Sequence, residues 1–471
     1  MRNTAGSTSL RRLIPMIAAI AVPVALQNLL TTTGTMVDTV MIATLGPNSV
    51  GAVGLCAQFA NLMFASYWGF VGGGMLFFSQ YWGAGDHDGI RRSYGMTLSF
   101  MMISGLLFGA FAVFAPELVM ALYTDSVEIR AIGAEYLRIV GFSFPLQVIA
   151  SAMAALLRSV EQVRIPLAGG IAAVVTNFFC NFILIFGRLG FPAMGVRGAA
   201  LGTVIANLVN ILVIAVLSRA RRMPYLLEIR GHFRWSLSAL REYLRKCFPI
   251  LLNEILIGVG NMMISVVLGH QAESAIAATA VLRTFEGLII GFFVGFSNAA
   301  SVLVGKEVGA GNHEEAFSRA WRLVYLCSAT IALTGLAVIS LHRPLLSVMG
   351  MEGEAFVYAR GMLFIYCAVA LIRMGNWCMN DTFRAAGDPA FGSIMEIAFM
   401  FLMVQPAIHL ANDLLHAPFL VVFLLCYVDE PIRYFIMQRH MYSRKWIRPV
   451  SEEGRATIAA FRKKYGVVVR E

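Results

Sequence analysis

Residues 13–43 read LIPMIAAIAVPVALQNLLTTTGTMVDTVMIA, and Asp38 is the only charged side chain among them. A helix needs about 20 predominantly apolar residues to cross a bilayer, so this stretch is long enough to span one. Uncharged runs of spanning length recur along the chain, at 39–85, 139–157, 165–187 and 323–341. The sequence is therefore predicted to form an all-α protein that crosses a membrane many times.

The composition supports a membrane protein and argues against a soluble one. Of the 471 residues, 58% are hydrophobic and only 14% are charged, whereas soluble domains carry about 25% charged residues. The seven cysteines lie singly, without the close pairs of a zinc site. The net charge of +10 fits loops that face a cytoplasm and anionic lipid, so membrane lipid is an expected partner and nucleic acid is not.

Apolar stretches between charged or turn-rich breaks predict twelve membrane helices, which we number α1 to α12. The segment before α1, the loops after even-numbered helices and the C-terminal tail hold 28 Lys and Arg. The loops after odd-numbered helices hold four, if Arg197 at the start of α6 is counted with its loop. The positive-inside rule then places both termini on the cytoplasmic side of the membrane, which we take to be a bacterial-type inner membrane. The predicted helix cores are 14–43, 50–82, 94–115, 132–157, 165–186, 197–217, 247–268, 275–305, 323–341, 356–383, 390–411 and 415–437.

The second half of the chain repeats landmarks of the first half at a constant offset of 226 residues. The matched landmarks are Pro23 with Pro249, Gly83–His87 with Gly309–His313, and Arg158 with Arg384. Six helices per half bring both halves into the membrane in the same sense, which predicts two pseudo-symmetric lobes with a transport path between them. The predicted organisation is an N-lobe at 1–217, a basic cytoplasmic linker at 218–246, a C-lobe at 247–438 and a basic cytoplasmic tail at 439–471.

Asp38 is the strongest candidate for a functional group inside a predicted span. An ionisable side chain within a membrane helix is costly unless it is paired or faces water. Asp38 has no basic residue close to it in the sequence, so it is predicted to exchange a proton or to bind Na⁺. The alternative is a carboxylate that bonds to the neighbouring threonines and only locks the helix.

Two pairs of small polar residues could complete a pocket with Asp38. Asn177 and Asn181 in α5, and Thr203 and Asn207 in α6, are each spaced i, i+4, which puts the members of each pair on one helix face. The alternative is that these side chains form interhelical hydrogen bonds that hold the bundle together.

In the second half, Glu254 lies five residues after Pro249 and is a second candidate cation site. The alternative is a position near the cytoplasmic interface, where a carboxylate costs little and needs no function. Pro23 and Pro249 lack a backbone donor, so each is predicted to let its helix bend.

The charged residues of α8 and α10 in the predicted spans are expected to form structural or gating ion pairs. Arg283 and Glu286 are spaced i, i+3 in α8 and can neutralise each other. Glu396 in α11 has no evident partner in the sequence. Three more charges fall on nearby faces of α10: Arg373, Asp381 and Arg384.

From about Leu13 to Pro449, the sequence resembles the multidrug and toxin extrusion (MATE) family of transporters. The fragments that carry the resemblance are modest one by one, but their order and spacing are specific. They are Pro23, Met36-Val37-Asp38, Leu45-Gly46, Gly83-Ala84-Gly85, Leu157-Arg158, Gly195–Thr203, Val304-Gly305, Gly309-Ala310-Gly311, Arg384–Asp388 and Arg444–Ile447.

The resemblance implies a secondary antiporter with twelve helices in two six-helix lobes. It implies that Asp38 is the proton- or sodium-linked aspartate, accompanied by Asn177 and Thr203, and that Pro23 bends α1. Some members of the family carry a second aspartate where this chain has Asn181, which leaves Asp38 as the only charge of the site. The α7 acid of sodium-coupled members corresponds to Glu254, whereas Arg373 stands where those members have an aspartate in α10.

We therefore predict an antiporter, and not an enzyme, that exports organic cations or amphiphilic drugs in exchange for H⁺ or Na⁺. It is expected to act as a monomer, without a cofactor, and with no metal other than a coupling Na⁺ at Asp38. The nearest alternative is a flippase for a lipid-linked or polysaccharide precursor. An intramembrane transferase is a further alternative, but it should show Asp-rich or His/Asp clusters that the sequence lacks.

Overall fold

The computed structural model describes residues 10–227, 232–233 and 235–468, and within these ranges all regular structure is helical. Ten of the described helices are long and apolar enough to cross a membrane, and a bent pair in α4 makes an eleventh. The predicted all-α polytopic fold is therefore confirmed. Arg230 and Arg234 of the predicted linker lie outside the described residues.

The helices follow the uncharged runs of the sequence. In the first half, α1 to α6 are Leu10–Ala43, Pro47–Ala84, His87–Phe114, Val127–Val140 with Ser143–Ser159, Arg164–Phe186 and Val196–Ala220. In the second half, α7 to α12 are Leu237–Gly269, Glu273–Gly309, His313–Ser340, Gly353–Ala385, Pro389–Leu414 and Phe419–Leu425 with Glu430–Ser443. Among the described residues, four shorter helices are Pro116–Ala121, Pro224–Leu227, His342–Val348 and Glu452–Tyr465.

Three of the twelve helices are irregular. The two parts of α4 meet at an angle of 51°. In α11, the π-helical turns Met400–Val404 and Leu410–Leu414 interrupt the α-helix. In α12, which the sequence predicted as continuous over 415–437, the helix is broken between Leu425 and Glu430. Irregular backbone at membrane depth is tolerated where protein buries it or where it lines a cavity.

The contacts within the chain divide it into two compact units. We call residues 22–78 with 87–244 the N-unit, and residues 1–21, 79–86 and 245–471 the C-unit. The first turns of α1 and the end of α2 thus pack with the second half of the chain. The lobe boundaries drawn from the sequence stay a prediction.

The repeated Gly-Ala-Gly motif lies where the end of α2 crosses α8 within the C-unit. A Cβ atom on Gly83 would overlap the backbone carbonyl of Lys306, and a Cβ atom on Gly309 would overlap that of Gln80. Gln80 and Lys306 are themselves 226 residues apart, so the two glycines make the same contact from opposite sides. Small residues at such points let two helix backbones approach closely.

The C-terminal tail is docked on the C-unit. Ser451 caps its helix, and the Ser451 hydroxyl donates to the Gly309 carbonyl at 2.7 Å. The backbone N–H of Val450 donates to Gln80 Oε1 at 2.7 Å. These bonds tie the tail to the same crossing of α2 and α8.

Candidate functional site

Asp38 lines a cavity of about 200 Å³ that lies wholly within the N-unit. The walls come from α1, α2, α4, α5 and α6. Asp38 is the only charged residue among the described residues that form these walls. The other lining residues are Thr35, Thr39, Ile42, Val50, Val53, Gly54, Ala57, Tyr136, Asn181, Ala199 and Thr203.

The two amides of α5 converge on the Asp38 carboxylate. Asn181 Nδ2 donates to Asp38 Oδ1 at 2.8 Å. With its amide NH₂ turned toward the carboxylate, Asn177 lies 2.6 Å from Oδ1 and 3.0 Å from Oδ2. Asn181 is 1% exposed, so packing holds its amide in place. The structure thus brings Asp38, Asn177 and Asn181 together, as the sequence predicted.

The threonines of α1 do not hold the carboxylate. Thr35 Oγ1 donates to the Thr31 carbonyl at 3.1 Å, and Thr39 Oγ1 donates to the Thr35 carbonyl at 2.9 Å. Both hydroxyls are therefore used within their own helix. The structure disfavours the alternative in which Asp38 merely bonds to its neighbouring threonines.

Thr203 and Asn207, which share a face of α6, have different surroundings. Thr203 lines the Asp38 cavity, whereas Asn207 Nδ2 donates to the Thr203 backbone carbonyl at 3.0 Å. Tyr136 in α4 lines the cavity too, and its hydroxyl is hydrogen-bonded to Thr203. The sequence analysis missed Tyr136, because an aromatic residue in a mostly apolar segment resembles ordinary core.

The Asp38 site can hold a proton or a small cation. Within the described part of the chain, no arginine or lysine forms an ion pair with Asp38. Asn181 Oδ1 is a buried acceptor without a hydrogen-bond partner, and carboxylate, amide and hydroxyl oxygens are ligands that hard cations prefer. No cluster of three or more His, Cys, Asp or Glu suited to a metal ion occurs among the described residues.

Glu254 lies in the C-unit and is not a lone carboxylate. Arg384 Nη1 donates to Glu254 Oε1 at 3.3 Å and lies 3.6 Å from Asp381 Oδ1. The Ser297 hydroxyl donates to Asp381 from α8. The predicted proximity of Asp381 to Arg384 is therefore present, and Glu254 joins them in an ion-pair network on α7 and α10.

The predicted pairing of Arg283 with Glu286 is wrong. Glu286 Oε1 instead accepts from Arg373 Nη1 at 2.7 Å, while Arg283 Nη2 donates to the Ser265 hydroxyl at 2.7 Å. The i, i+3 spacing makes a contact within α8 available, but α10 and α7 supply competing partners. These partners could not be read from local spacing.

Glu396, which had no evident partner in the sequence, is well bonded in the structure. Asn253 Nδ2 and Asn380 Nδ2 donate to its Oε2 at 3.0 Å and 3.1 Å. Arg433 Nη1 lies 3.8 Å from its Oε1. The donors come from α7, α10 and α12, so only the folded chain assembles them.

Comparison with known proteins identifies one family. The MatE family model matches residues 23–183 and 249–407, so the two matched segments begin at the repeated prolines. The uncharacterized transporter YisQ of Bacillus subtilis is 22% identical over 411 residues, which are 87% of this chain and 90% of that protein. The probable multidrug resistance protein NorM of Agrobacterium fabrum is 27% identical over 300 residues, which are 63% of this chain and 64% of that protein.

Solved structures share the fold. A crystal structure of MATE in complex with MaL6 has a TM-score of 0.81 at 18% identity, and covers 94% of this chain and 100% of that one. A MOP superfamily transporter from Pyrococcus furiosus has a TM-score of 0.80 at 18% identity, with the same coverage. At this identity, the likeness concerns the fold.

Proposed function

Because the chain belongs to the MatE family of membrane transporters, we propose that it is a secondary antiporter that exports organic cations or other amphiphilic compounds in exchange for H⁺ or Na⁺. Its relatives in the family are transporters and not enzymes. Two of them, YoeA of Bacillus subtilis and NorM of Agrobacterium fabrum, are described as probable multidrug resistance proteins, which supports this substrate class.

The observation that carries the proposal is the half-buried Asp38 carboxylate, which has two amide donors and no counter-ion among the described residues of the N-unit cavity. An acid in a membrane helix persists where it serves ion or proton movement. The ion drives transport only if it binds one conformation of the protein more tightly than another.

Neutralisation of Asp38 provides such a difference. Asn177 and Asn181 donate to an ionised carboxylate, and hydrogen bonds to an ion are stronger than those to a neutral group. A proton or Na⁺ on Asp38 therefore weakens the tie between α1 and α5. Pro23, which lies fifteen residues before Asp38 in α1, lets that helix bend in response.

The proposal includes the membrane location, the orientation and the oligomeric state of the transporter. We propose that the protein lies in a bacterial inner membrane with both termini on the cytoplasmic side, which the distribution of Lys and Arg supports. We propose that the transporter works as a monomer without a cofactor, in contact with membrane lipid. The only ion it then uses is the coupling ion at Asp38.

Ethidium efflux from energised cells or proteoliposomes tests the proposal. An imposed pH or Na⁺ gradient should drive export by the wild-type protein, and the active gradient identifies the ion. Asp38→Asn should lower the gradient-dependent rate by at least about tenfold, since the variant keeps the shape but loses the charge. Asp125→Asn is the matched control, because Asp125 is exposed in a loop. Full gradient-driven export by Asp38→Asn, with the protein present in the membrane, would contradict the mechanism.

A further inference from the structure

A second cavity, of about 360 Å³, lies wholly within the C-unit. Helices α7, α8, α10, α11 and α12 supply its walls. Its volume falls in the range of small-molecule sites, which is roughly 300–1,000 Å³. Trp377, Phe423 and Tyr427 add aromatic surface to the walls, as is usual for sites that bind organic compounds.

The C-unit cavity is the repeat counterpart of the Asp38 cavity. An offset of 226 residues carries seven of the twelve residues that line the Asp38 cavity onto residues that line this one. Three of these correspondences change the charge. Asp38 corresponds to Ile264, so the second cavity lacks the carboxylate of α1. Ala57 corresponds to Arg283, and Thr203 corresponds to Asp429. Neutral positions in the first cavity therefore carry opposite charges in the second.

The charges of the C-unit cavity are unevenly distributed. Arg373 and Arg433 are shared among four carboxylates, with Arg373 Nη1 2.7 Å from Glu286 and Arg433 Nη2 2.7 Å from Glu430. The other two carboxylates approach Arg433 at longer distances, Glu396 at 3.8 Å and Asp429 at 3.6 Å. The region around Arg433 thus has more negative than positive groups.

Arg283 is a third cation of the cavity wall and lies on α8, whereas Arg433 lies on α12. The Arg283 guanidinium donates to the Ser265 hydroxyl at 2.7 Å, and no carboxylate in the described part of the chain forms an ion pair with it. Arg283 is exposed, so its remaining donors are accessible from the cavity. A guanidinium with free donors binds carboxylates in a fork geometry.

The backbone around the cavity is irregular on two sides. Met400 and Val404, which line it, are the ends of a π-helical turn, and Asp429 lies in the break of α12. π-Helical turns occur frequently at functional sites, and broken membrane helices form the binding sites of many transporters. Arg433 is 5% exposed, and its Nε lies 3.6 Å from Asp429 Oδ2, which is too long for a hydrogen bond.

We infer that the C-unit cavity binds a zwitterionic amphiphile, with the anionic group of the ligand on Arg283 and its cationic group against the carboxylates around Arg433. The inference rests on the proposed export of small amphiphiles and assigns a substrate class to this unit. A purely cationic compound leaves Arg283 without an anionic partner. A purely anionic compound meets the surplus of carboxylates.

Two dyes that differ by one ester test the inference. Rhodamine 110 is a zwitterion with a free carboxylate, and rhodamine 123 is its cationic methyl ester. Fluorescence anisotropy with the purified full chain in detergent should give a Kd for rhodamine 110 about tenfold below that for rhodamine 123, as expected for one charge-assisted contact.

Substitutions at Arg283 and at Asp429 should act differently on the two dyes. Arg283→Gln should raise the Kd of rhodamine 110 about tenfold and leave that of rhodamine 123 unchanged. Asp429→Asn should weaken both dyes, since both carry the cationic xanthene. Arg360→Gln is the matched control, because Arg360 is exposed on α10 and is not part of the cavity wall.

Equal affinity of the wild-type protein for the two dyes, or absence of binding, would overturn the inference. An equal effect of Arg283→Gln on both dyes would overturn it too, and this comparison holds even if Asp429→Asn fails to fold. Two readouts separate this inference from the proposed function, because dye binding in detergent needs no ion gradient. Loss of gradient-driven ethidium export with the dye preference intact would count against the proposed function alone, and loss of the dye preference with export intact would count against this inference alone.

Discussion

Replacing Arg373 with methionine is expected to destabilise the protein, because the change leaves buried carboxylates without their cation. Arg373 Nη1 lies 2.7 Å from Glu286 Oε1, and its Nε lies 3.8 Å from Glu430 Oε1. The Arg373 side chain is only 16% exposed. Its guanidinium also lies within 6.0 Å of three ring centroids, those of Tyr366, Trp377 and Tyr427.

These distances set the size of the effect. At an effective dielectric constant of about 20, the attractions at 2.7 Å and 3.8 Å are worth about 6 and about 4 kcal/mol. The cost of burying the charges offsets much of this attraction when both partners are present. Removal of one partner alone keeps that cost, so Arg373→Met should lower the free energy of unfolding by about 3–5 kcal/mol.

The double variant Arg373→Met/Glu286→Gln should regain part of the loss. It removes the nearer unpaired carboxylate, while Glu430 keeps its bond of 2.7 Å to Arg433. A double-mutant cycle then isolates the energy of the Arg373–Glu286 pair.

Equilibrium unfolding of the purified full chain in mixed detergent–SDS micelles provides the measurement. Arg360→Met is the matched control, since Arg360 is exposed on the same helix; it should change the free energy of unfolding by less than about 0.5 kcal/mol. A loss below about 1 kcal/mol for Arg373→Met would place the pair among weak surface ion pairs and refute the reasoning.

Two further substitutions address the Asp38 site. Asn181→Leu removes a donor that lies 2.8 Å from the Asp38 carboxylate. Because a hydrogen bond to a charged group is worth about 1.5–3 kcal/mol, gradient-driven ethidium efflux should fall at least about tenfold. The control Asn207→Leu should leave the efflux rate nearly unchanged. Equal rates for these two variants would argue against a role of the amide. Pro23→Ala restores a backbone donor in α1, so it should abolish gradient-driven efflux while ethidium binding in detergent is retained. Normal efflux by this variant would show that bending at the proline is not required.

The sequence alone predicted where the spanning helices lie and that Asp38, Asn177 and Asn181 meet in one site. Uncharged runs of spanning length determine where a chain crosses a bilayer, because backbone polar groups in lipid must be bonded within the segment. The i, i+4 spacing of Asn177 and Asn181 placed both amides on one face of α5, and they meet Asp38 there. The 226-residue offset paired Gly83 with Gly309, and the structure then showed that the two glycines make equivalent close contacts.

Only the tertiary structure decided which charged and polar groups are partners. Glu286 pairs with Arg373 from α10 in preference to Arg283 on its own helix. Tyr136 reaches the Asp38 cavity from α4, a helix in which the sequence showed no polar motif. Spacing along a helix determines which side chains can meet within that helix. A buried charge takes the best donor or counter-ion that any neighbouring helix brings to it, and that choice depends on how the helices pack.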